Sequence, residues 1–373
     1  MMHVLLTGAT GVIGSAILEE LLRRTDAVVT LLVRAPDRAA AERRRDDLLD
    51  ELLGPDAAPA ARPRTPAVPG DVAQQHLGMD AADRERLAGE CTHVVHCAAQ
   101  IRMNLPREAA RAAAVEGTRH LLDFARSARN LRKAEVLSTI GVGGRLPDVP
   151  EEWLEQPRAF HNTYEEAKAE AETLLRRAAG ELPLTVHRPS MVVGDARTGR
   201  VRAFQVFYHL CEFLAGARSR GLVPRLGDAR LDTYPIDYLA AAVRWSLGRP
   251  DLAGRILHEC SGADAIRLAQ LQPIVRERFR AAGVALPPLL PLPAWAFTVL
   301  LPPLARFAPP RQRRAIRTAP IFLDYLAERR RFRNERTWRD LAAAGLAPPP
   351  PAEYLPRSID YYLERRPTRR GGA

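Results

Sequence analysis

The N-terminal stretch constrains this chain more than any other. A short apolar run, His3 to Leu6, leads into Thr7-Gly8-Ala9-Thr10-Gly11-Val12-Ile13-Gly14, and a helical pattern follows from Ala16 to Leu22. The order reads as strand, tight turn and helix N-terminus. Glycines at 8, 11 and 14 permit the turn, let a pyrophosphate approach the backbone, and let the helix pack on the sheet, while the helix N-terminus adds partial positive charge. Alone, a glycine triad is weak evidence, and its bland reading is a structural turn. Set between a strand and a helix, it predicts a dinucleotide site with Gly8, Thr10, Gly11, Val12, Ile13 and Gly14 around the phosphates.

Further strand-like runs follow at Val28 to Val33, Thr65 to Val68, His93 to Cys97, Glu135 to Ser138 and Leu184 to His187, with helical segments between them. This βαβ alternation predicts an α/β fold, a Rossmann-type doubly wound parallel sheet with ligands at the carboxyl ends of its strands. Around Ala196 the pattern changes. Residues 1–196 are expected to form the nucleotide-binding domain, with 232–260 returning to it. Residues 197–373 are expected to be a smaller, mostly helical substrate-binding region that caps the cleft, with Phe204 to Leu214 as an aromatic-rich helix. Ala57 to Pro69 reads as an Ala/Pro-rich loop, and Pro367 to Ala373 as a disordered tail.

Only two lysines occur among the 55 basic residues, and one of them, Lys168, stands four places after Tyr164. Arginine has replaced lysine almost everywhere else, so this position needs an amine. Residues four apart share a helical face, and an ammonium beside a phenol lowers its pKa from about 10 toward working pH. Tyr164 is therefore expected to be a proton donor. The fifth strand ends Leu137-Ser138-Thr139, which places hydroxyls at the carboxyl edge of the sheet. A strand cap is the ordinary reading of Ser138 and Thr139. Combined with Tyr164 and Lys168, a hydroxyl there can help hold a substrate carbonyl oxygen as negative charge develops on it.

At the end of the second strand, Arg34 stands where an adenosine ribose would lie, and an arginine can pair with a 2′-phosphate. NADP(H) is the expected cofactor. Arg44, in the following helix, is a second candidate clamp, although its neighbours Arg43 and Arg45 fit plain surface charge equally well. Asp71, after Gly70 and before Val72, would bring a carboxylate near the adenine amino group, or else simply close a turn.

Net charge is +11, with arginines gathered late in the chain at 311, 313, 314, 317 and 329–331. An anionic-ligand site or a membrane-facing patch precedes nucleic acid in this reading, because no aromatic-interleaved stacking motif accompanies them. An arginine-rich solvated surface explains them as well. No nucleic-acid partner is expected. Cysteines 91, 97, 211 and 260 have neither metal-ligand spacing nor disulfide-scaffold density, so no metal is expected and a reducing cytoplasm fits. The N-terminus runs straight into a strand without a secretory pattern. Leu286 to Ala305 carries no charge, but its six prolines leave only Ala294 to Leu301 as an unbroken helical stretch, too short to span a bilayer. With Trp295 and Phe297 inside it, the segment reads as a wall for an oily substrate, as peripheral membrane contact through 286–317, or as a buried helix.

Taken together, TGATGVIG, VVHCAA (94–99), LSTIGVGG (137–144), YEEAK (164–168), HRPSMVVGD (187–195) and YPIDYLAAA (234–242) resemble the extended short-chain dehydrogenase/reductase superfamily, in its order, across about the first 245 residues. LVRAPDRAAAERRR, GDVAQQHLGM and RPSMVVGDARTG are similar to its fatty acyl-CoA reductase and thioester reductase branch. The resemblance implies a catalytic Thr139, Tyr164 and Lys168, with Lys168 also binding the nicotinamide ribose. It implies His96, Cys97, Ala98 and Ala99 near the ribose and nicotinamide, and Pro189, Ser190 and Met191 against the nicotinamide face. One departure stands out: the family's Asn-Val-x-Gly-Thr is here Ala114-Val115-Glu116-Gly117-Thr118, without the asparagine that helps hold a water relay to the lysine.

The expected reaction is hydride transfer from NADPH to an acyl thioester or related apolar carbonyl, giving an aldehyde and, after a second transfer, an alcohol. Phe204, Phe207 and Phe213 suit an acyl channel or ordinary core packing. Alcohol or steroid dehydrogenation, sugar-nucleotide epimerisation or dehydration, and a non-catalytic NADP-binding regulator are the competing readings.

Overall fold

Valine- and leucine-rich runs that read as near-continuous apolar segments suit strands covered on both faces, and parallel sheets are built from such strands. The computed structural model describes residues 1–99, 105–217, 219–293, 296 and 330–366. Its principal sheet consists of β1 (His3–Thr7), β2 (Val28–Val33), β3 (Ala67–Pro69), β4 (His93–His96), β5 (Lys133–Leu137), β6 (Leu184–His187) and β7 (Ile256–Leu257). All neighbours pair in parallel, in the order β7-β6-β5-β4-β1-β2-β3. The order reverses between β1 and β4, which opens a crevice at their carboxyl ends.

Six helices cover the sheet: α1 (Val12–Arg24), α2 (Arg38–Leu53), α3 (Ala81–Glu90), α4 (Gly117–Ser127), α5 (Thr163–Ala178) and α6 (Ile236–Leu247). One layer of the core joins Leu5, Val94, Val136 and Val186 of the strands to Leu87, Leu121, Phe124 and Leu175 of α3, α4 and α5. Elsewhere α1 packs on α6. Burial at this density is what makes the backbone at the strand ends rigid enough to position a site.

Several boundaries moved. The third strand runs Ala67–Pro69 instead of 65–68, because the Thr65 hydroxyl donates to Ala61 O at 2.9 Å and closes a preceding helical turn. That turn, Ala58–Ala61 and then Arg62–Arg64, lies within the stretch expected to be a loop. Its alanines favour helix and its prolines fall at early helical positions, where no N–H is lost. The fifth strand begins two residues early, at Lys133, whose buried amine donates to Arg249 O at 2.7 Å. A lysine opening a buried strand gives no cue to that partner.

The chain divides into two units. The first comprises Met1–Ser190, Ile236–Glu259 and Arg333–Ala347; the second comprises Met191–Pro235, Cys260–Phe332 and Pro348–Ala373. Arg333–Ala347 was expected in the second region. It joins the first because Glu151 accepts from the N–H groups of Arg336 at 2.9 Å and Thr337 at 2.8 Å, at the start of the helix Glu335–Ala343, and Arg255 pairs with Asp340 at 2.8 Å. Charges so distant in sequence leave no periodic signal.

The second unit contains the helices Val206–Leu214, Leu268–Ala281 and Pro351–Arg365 with several two-residue and three-residue strands. The helix start at Val206 is two residues later than the expected Phe204. Phe207, Tyr208, Leu271, Phe279, Leu355 and Ile359 are buried together in its interior, so Phe207 is a packing residue and not a channel wall. Phe204 makes edge contacts with Tyr208 and Tyr362 at 4.9 Å each. Within 286–317, Leu290–Leu292 is a strand parallel to Leu222–Pro224. Residues 294, 295 and 297–329, including Trp295, Phe297, Arg311, Arg313, Arg314 and Arg317, lie outside the described residues, as does Pro367–Ala373. Among the described residues no helix is long and apolar enough to cross a membrane.

Candidate active site

The glycine turn sits at the switch point. Gly8 has φ +75°, and a Cβ there would lie 2.5 Å from Ala98 N; a Cβ on Gly14 would lie 2.2 Å from Gly8 O. Both positions therefore exclude side chains, and the turn closes with Gly11 N–H donating to Gly8 O at 2.9 Å. Gly11 caps α1 without a side-chain bond, and the first turn of α1, which begins with Val12, Ile13 and Gly14, carries no acidic residue. That leaves a helix N-terminus suited to an anion. The end of β4 is tied to the turn: Thr7 Oγ1 bonds His96 Nδ1 at 2.8 Å and accepts from Ala98 N at 3.3 Å. Cys97 N–H donates to Thr7 O at 3.1 Å, while Ala99 is exposed beyond it.

Tyr164 and Lys168 lie one turn apart on α5, which Asn162 caps by accepting from Glu165 N at 3.0 Å. The Thr139 hydroxyl accepts from Gly141 N at 3.1 Å and lies near enough to the Tyr164 phenol to oppose the effect of burial on it. Lys168 Nζ donates to Leu137 O at 2.9 Å. Burial pulls the Lys168 amine down to about 8, against the pull of Glu172 in the other direction. The phenol differs from expectation: burial pushes Tyr164 up to about 12, with only Thr139 opposing, and Lys168 is not among the groups that shift it. The amine turns toward the β5 carbonyl, so proximity along the helix face does not by itself deliver its charge to the phenol. Burial also lowers His96 to about 3, helped by Lys168, and raises the Cys97 thiol to about 12. Both are neutral in the physiological range.

Pro189 and Ser190 follow β6. Pro189 O accepts from Ile140 N at 3.1 Å, which holds this segment against the residue after Thr139, and Ser190 N–H donates to Glu259 O at 3.0 Å. Ser190 Oγ is buried with no protein partner among the described residues. A glycine cradle that a Cβ would fill, and an orphaned hydroxyl beside the Thr139 segment, are what a bound dinucleotide would use. The residues present fit that group. Met191 begins the strand Met191–Val193 of the second unit.

Beyond β2 and β3, Arg34, Ala35, Gly70, Asp71, Gln74 and Gly78 line a cavity of about 160 Å³. Arg34 is exposed, and the Arg44 guanidinium donates to its carbonyl, while Arg45 binds Asp46 and Thr65 O; Arg44 is not among the residues that line the cavity. Asp71 closes a turn by accepting from Ala73 N at 3.0 Å and also lines the cavity. Val72 turns its carbonyl to His120 Nδ1 at 3.0 Å and its side chain to the core. Ala114 lies in a π-helical turn, Ala112–Glu116, and its carbonyl accepts from Thr118 Oγ1 at 2.7 Å.

A buried polar layer beneath the site escaped sequence reasoning. Glu172 takes two bonds from Arg188, and His187 lies between Glu259 at 2.5 Å and Glu135 at 3.0 Å. With two carboxylates against it, His187 is raised to about 10 despite burial. Glu172 could have been found, since it continues the 164, 168 face by one more turn.

A dinucleotide turn at the switch point, with a phenol, an amine and a hydroxyl gathered at the ends of β5 and α5, defines a nicotinamide-dependent oxidoreductase of the short-chain type. The profile of the male sterility protein family, an NAD(P)-binding family, matches residues 6–243, and the chain belongs to this family of reductases. It is 39% identical over 257 residues to the isonitrile lipopeptide synthase of Streptomyces coeruleorubidus, an alignment covering 67% of this chain and 17% of that protein. It is 26% identical to the fatty acyl-CoA reductase wat of Drosophila melanogaster over 66% of this chain and 54% of that one. The chain thus spans only part of these relatives. The crystal structure of the terminal R domain from the myxalamid PKS-NRPS pathway superposes with a TM-score of 0.81 at 29% identity, covering 98% of this chain and 91% of that one.

Proposed function

We propose that the protein uses NADPH to reduce a carrier-bound acyl thioester to the aldehyde, with Thr139, Tyr164 and Lys168 as its catalytic residues. The observation that carries this reading is the nearness of Thr139 to Tyr164 at the sheet edge, with Lys168 anchored to Leu137 O beside them. The bound nicotinamide supplies the hydride. Thr139 and Tyr164 hold the carbonyl oxygen, and their hydrogen bonds strengthen as negative charge develops there. A phenol at about 12 stays protonated at neutral pH and can protonate an alkoxide. When the carbon–oxygen double bond re-forms, the hydroxyl proton returns to the Tyr164 oxygen, the carbon–sulfur bond breaks, the sulfur leaves as a thiolate that takes a proton from water, and an aldehyde remains. No nucleophilic cysteine is required, and Cys97, its thiol held up at about 12, is unsuited to that role.

Arg34 at this cavity, with the Arg44 guanidinium bonded to its carbonyl, favours the 2′-phosphate of NADPH over NADH. Carrier attachment is drawn from the relatives, a lipopeptide synthase and the R domain of a PKS-NRPS pathway. The test follows NADPH consumption with a panel of acyl carrier proteins, acyl-CoAs, aldehydes and sugar nucleotides. Turnover with acyl thioesters and an aldehyde product is expected; turnover with aldehydes or sugar nucleotides alone would overturn the proposal.

A further inference from the structure

Three consecutive residues at the end of β5 each meet α5. Leu137 O takes the Lys168 amine at 2.9 Å, Ser138 Oγ donates to Glu172 Oε1 at 2.5 Å, and Thr139 lies beside Tyr164. The partners on α5 stand at 164, 168 and 172, one stripe of the helix. Two of the three carry the proposed chemistry, with Thr139 opposite, while Glu172 is given no part in it.

Glu172 is nevertheless built in with care. Arg188, fully buried, donates to it through Nε at 3.0 Å and Nη2 at 2.6 Å. Arg188 Nη1 reaches Pro150 O at 3.4 Å and His258 Nε2 at 3.1 Å. The His258 Nδ1 contact to Arg333 O at 2.7 Å requires Nδ1–H as donor, which leaves Nε2 to accept from Arg188. Burial and the Arg188 charge push His258 down to about 3, so it stays neutral and the pairing stays single-valued. An isolated buried carboxylate is costly, and here Arg188 and Ser138 hold it one helical turn after Lys168.

We propose that Glu172 is a positioning residue: held by Arg188 and Ser138, its carboxylate keeps the Lys168 ammonium charged and in register with Thr139 and Tyr164. The groups around Lys168 are Tyr164 and Glu172, one turn before and after it on its own helix, His96 and Cys97 from the end of β4, and Leu137 O from β5. With the phenol and thiol held high and the imidazole held low, Glu172 is the one negative charge among these described groups. Arg188 bonds its carboxylate, and Arg158 lies near enough to feel its charge. The proposal rests on the reductase reading above.

Its test reads the amine directly. Because the chain has only two lysines, Lys133 and Lys168, protein grown on ¹³C-lysine gives two Cε signals, assigned with Lys168→Arg. In Glu172→Gln the Lys168 midpoint should fall by about one unit or more, and the alkaline limb of kcat/KM should move with it. Glu172→Asp, which keeps the charge but retracts it, should show a smaller shift in the same direction and recover part of kcat; it serves if the glutamine variant does not fold. An unshifted Lys168 midpoint in the folded variants, with lowered thermal stability alone, would overturn the proposal. A shifted midpoint in a protein that reduces no thioester would uphold the positioning role and remove the reductase reading instead.

Discussion

At the ends of β4, β5 and β6 the polar groups His96, Ser138, Lys168, Glu172, His187 and Arg188 are buried and bound by other protein groups, whereas the cavity beyond β2 and β3 is lined by the exposed Arg34, whose carbonyl takes a bond from Arg44. The first region works by geometry in low dielectric, where one misplaced group is expensive; the second works by charge in water, where salt screens and neighbours substitute. The same crevice therefore has a brittle end and a tolerant one.

The sharpest break of that contrast is Tyr164→Phe. It removes the phenol and should cut kcat by roughly 10²–10⁴-fold while leaving NADPH affinity, measured by fluorescence titration, within a few-fold. Equal loss of both would erase the distinction between chemistry and binding. Next comes Gly8→Ala, whose Cβ would meet Ala98 N at 2.5 Å from a left-handed backbone; dinucleotide binding by calorimetry should become undetectable or fall more than about tenfold.

The pH profile probes the buried end without mutation. The active Lys168 is the ammonium, and burial holds its pKa down at about 8, so kcat/KM should be level below that value and fall about tenfold per unit above it. A profile level to pH 10 would contradict the burial of the amine. At the exposed end, Arg34→Ala should weaken NADPH by about tenfold and NADH hardly at all, with the difference shrinking as salt rises. Asp71→Asn should have the smallest effect, a few-fold change in nucleotide affinity, because the asparagine can still close the turn to Ala73 N.

Legibility followed the same division. The glycine turn, the strand order up to β6, and the Tyr164–Lys168 face were readable because each depends on spacing within one or two elements. The phenol's high pKa was not, since it follows from burial and from the amine turning to Leu137 O. Nor was the helical turn at Ala58, or the return of Arg333–Ala347 to the first unit through Glu151 and Asp340. Phe207 shows the limit from the other side: an aromatic on an apolar helix face suits a channel or a core, and packing decided for the core.

The sequence by itself determined the doubly wound sheet, the dinucleotide turn and the identity of the groups that can carry hydride chemistry, because local periodicity and backbone freedom are properties of neighbouring residues. Only the tertiary structure decided what charge those groups hold and what stands behind them. Arg188 reaches Glu172 and is itself met by His258 from far along the chain, and the energies of buried charges depend on which partners folding brings within a few ångströms.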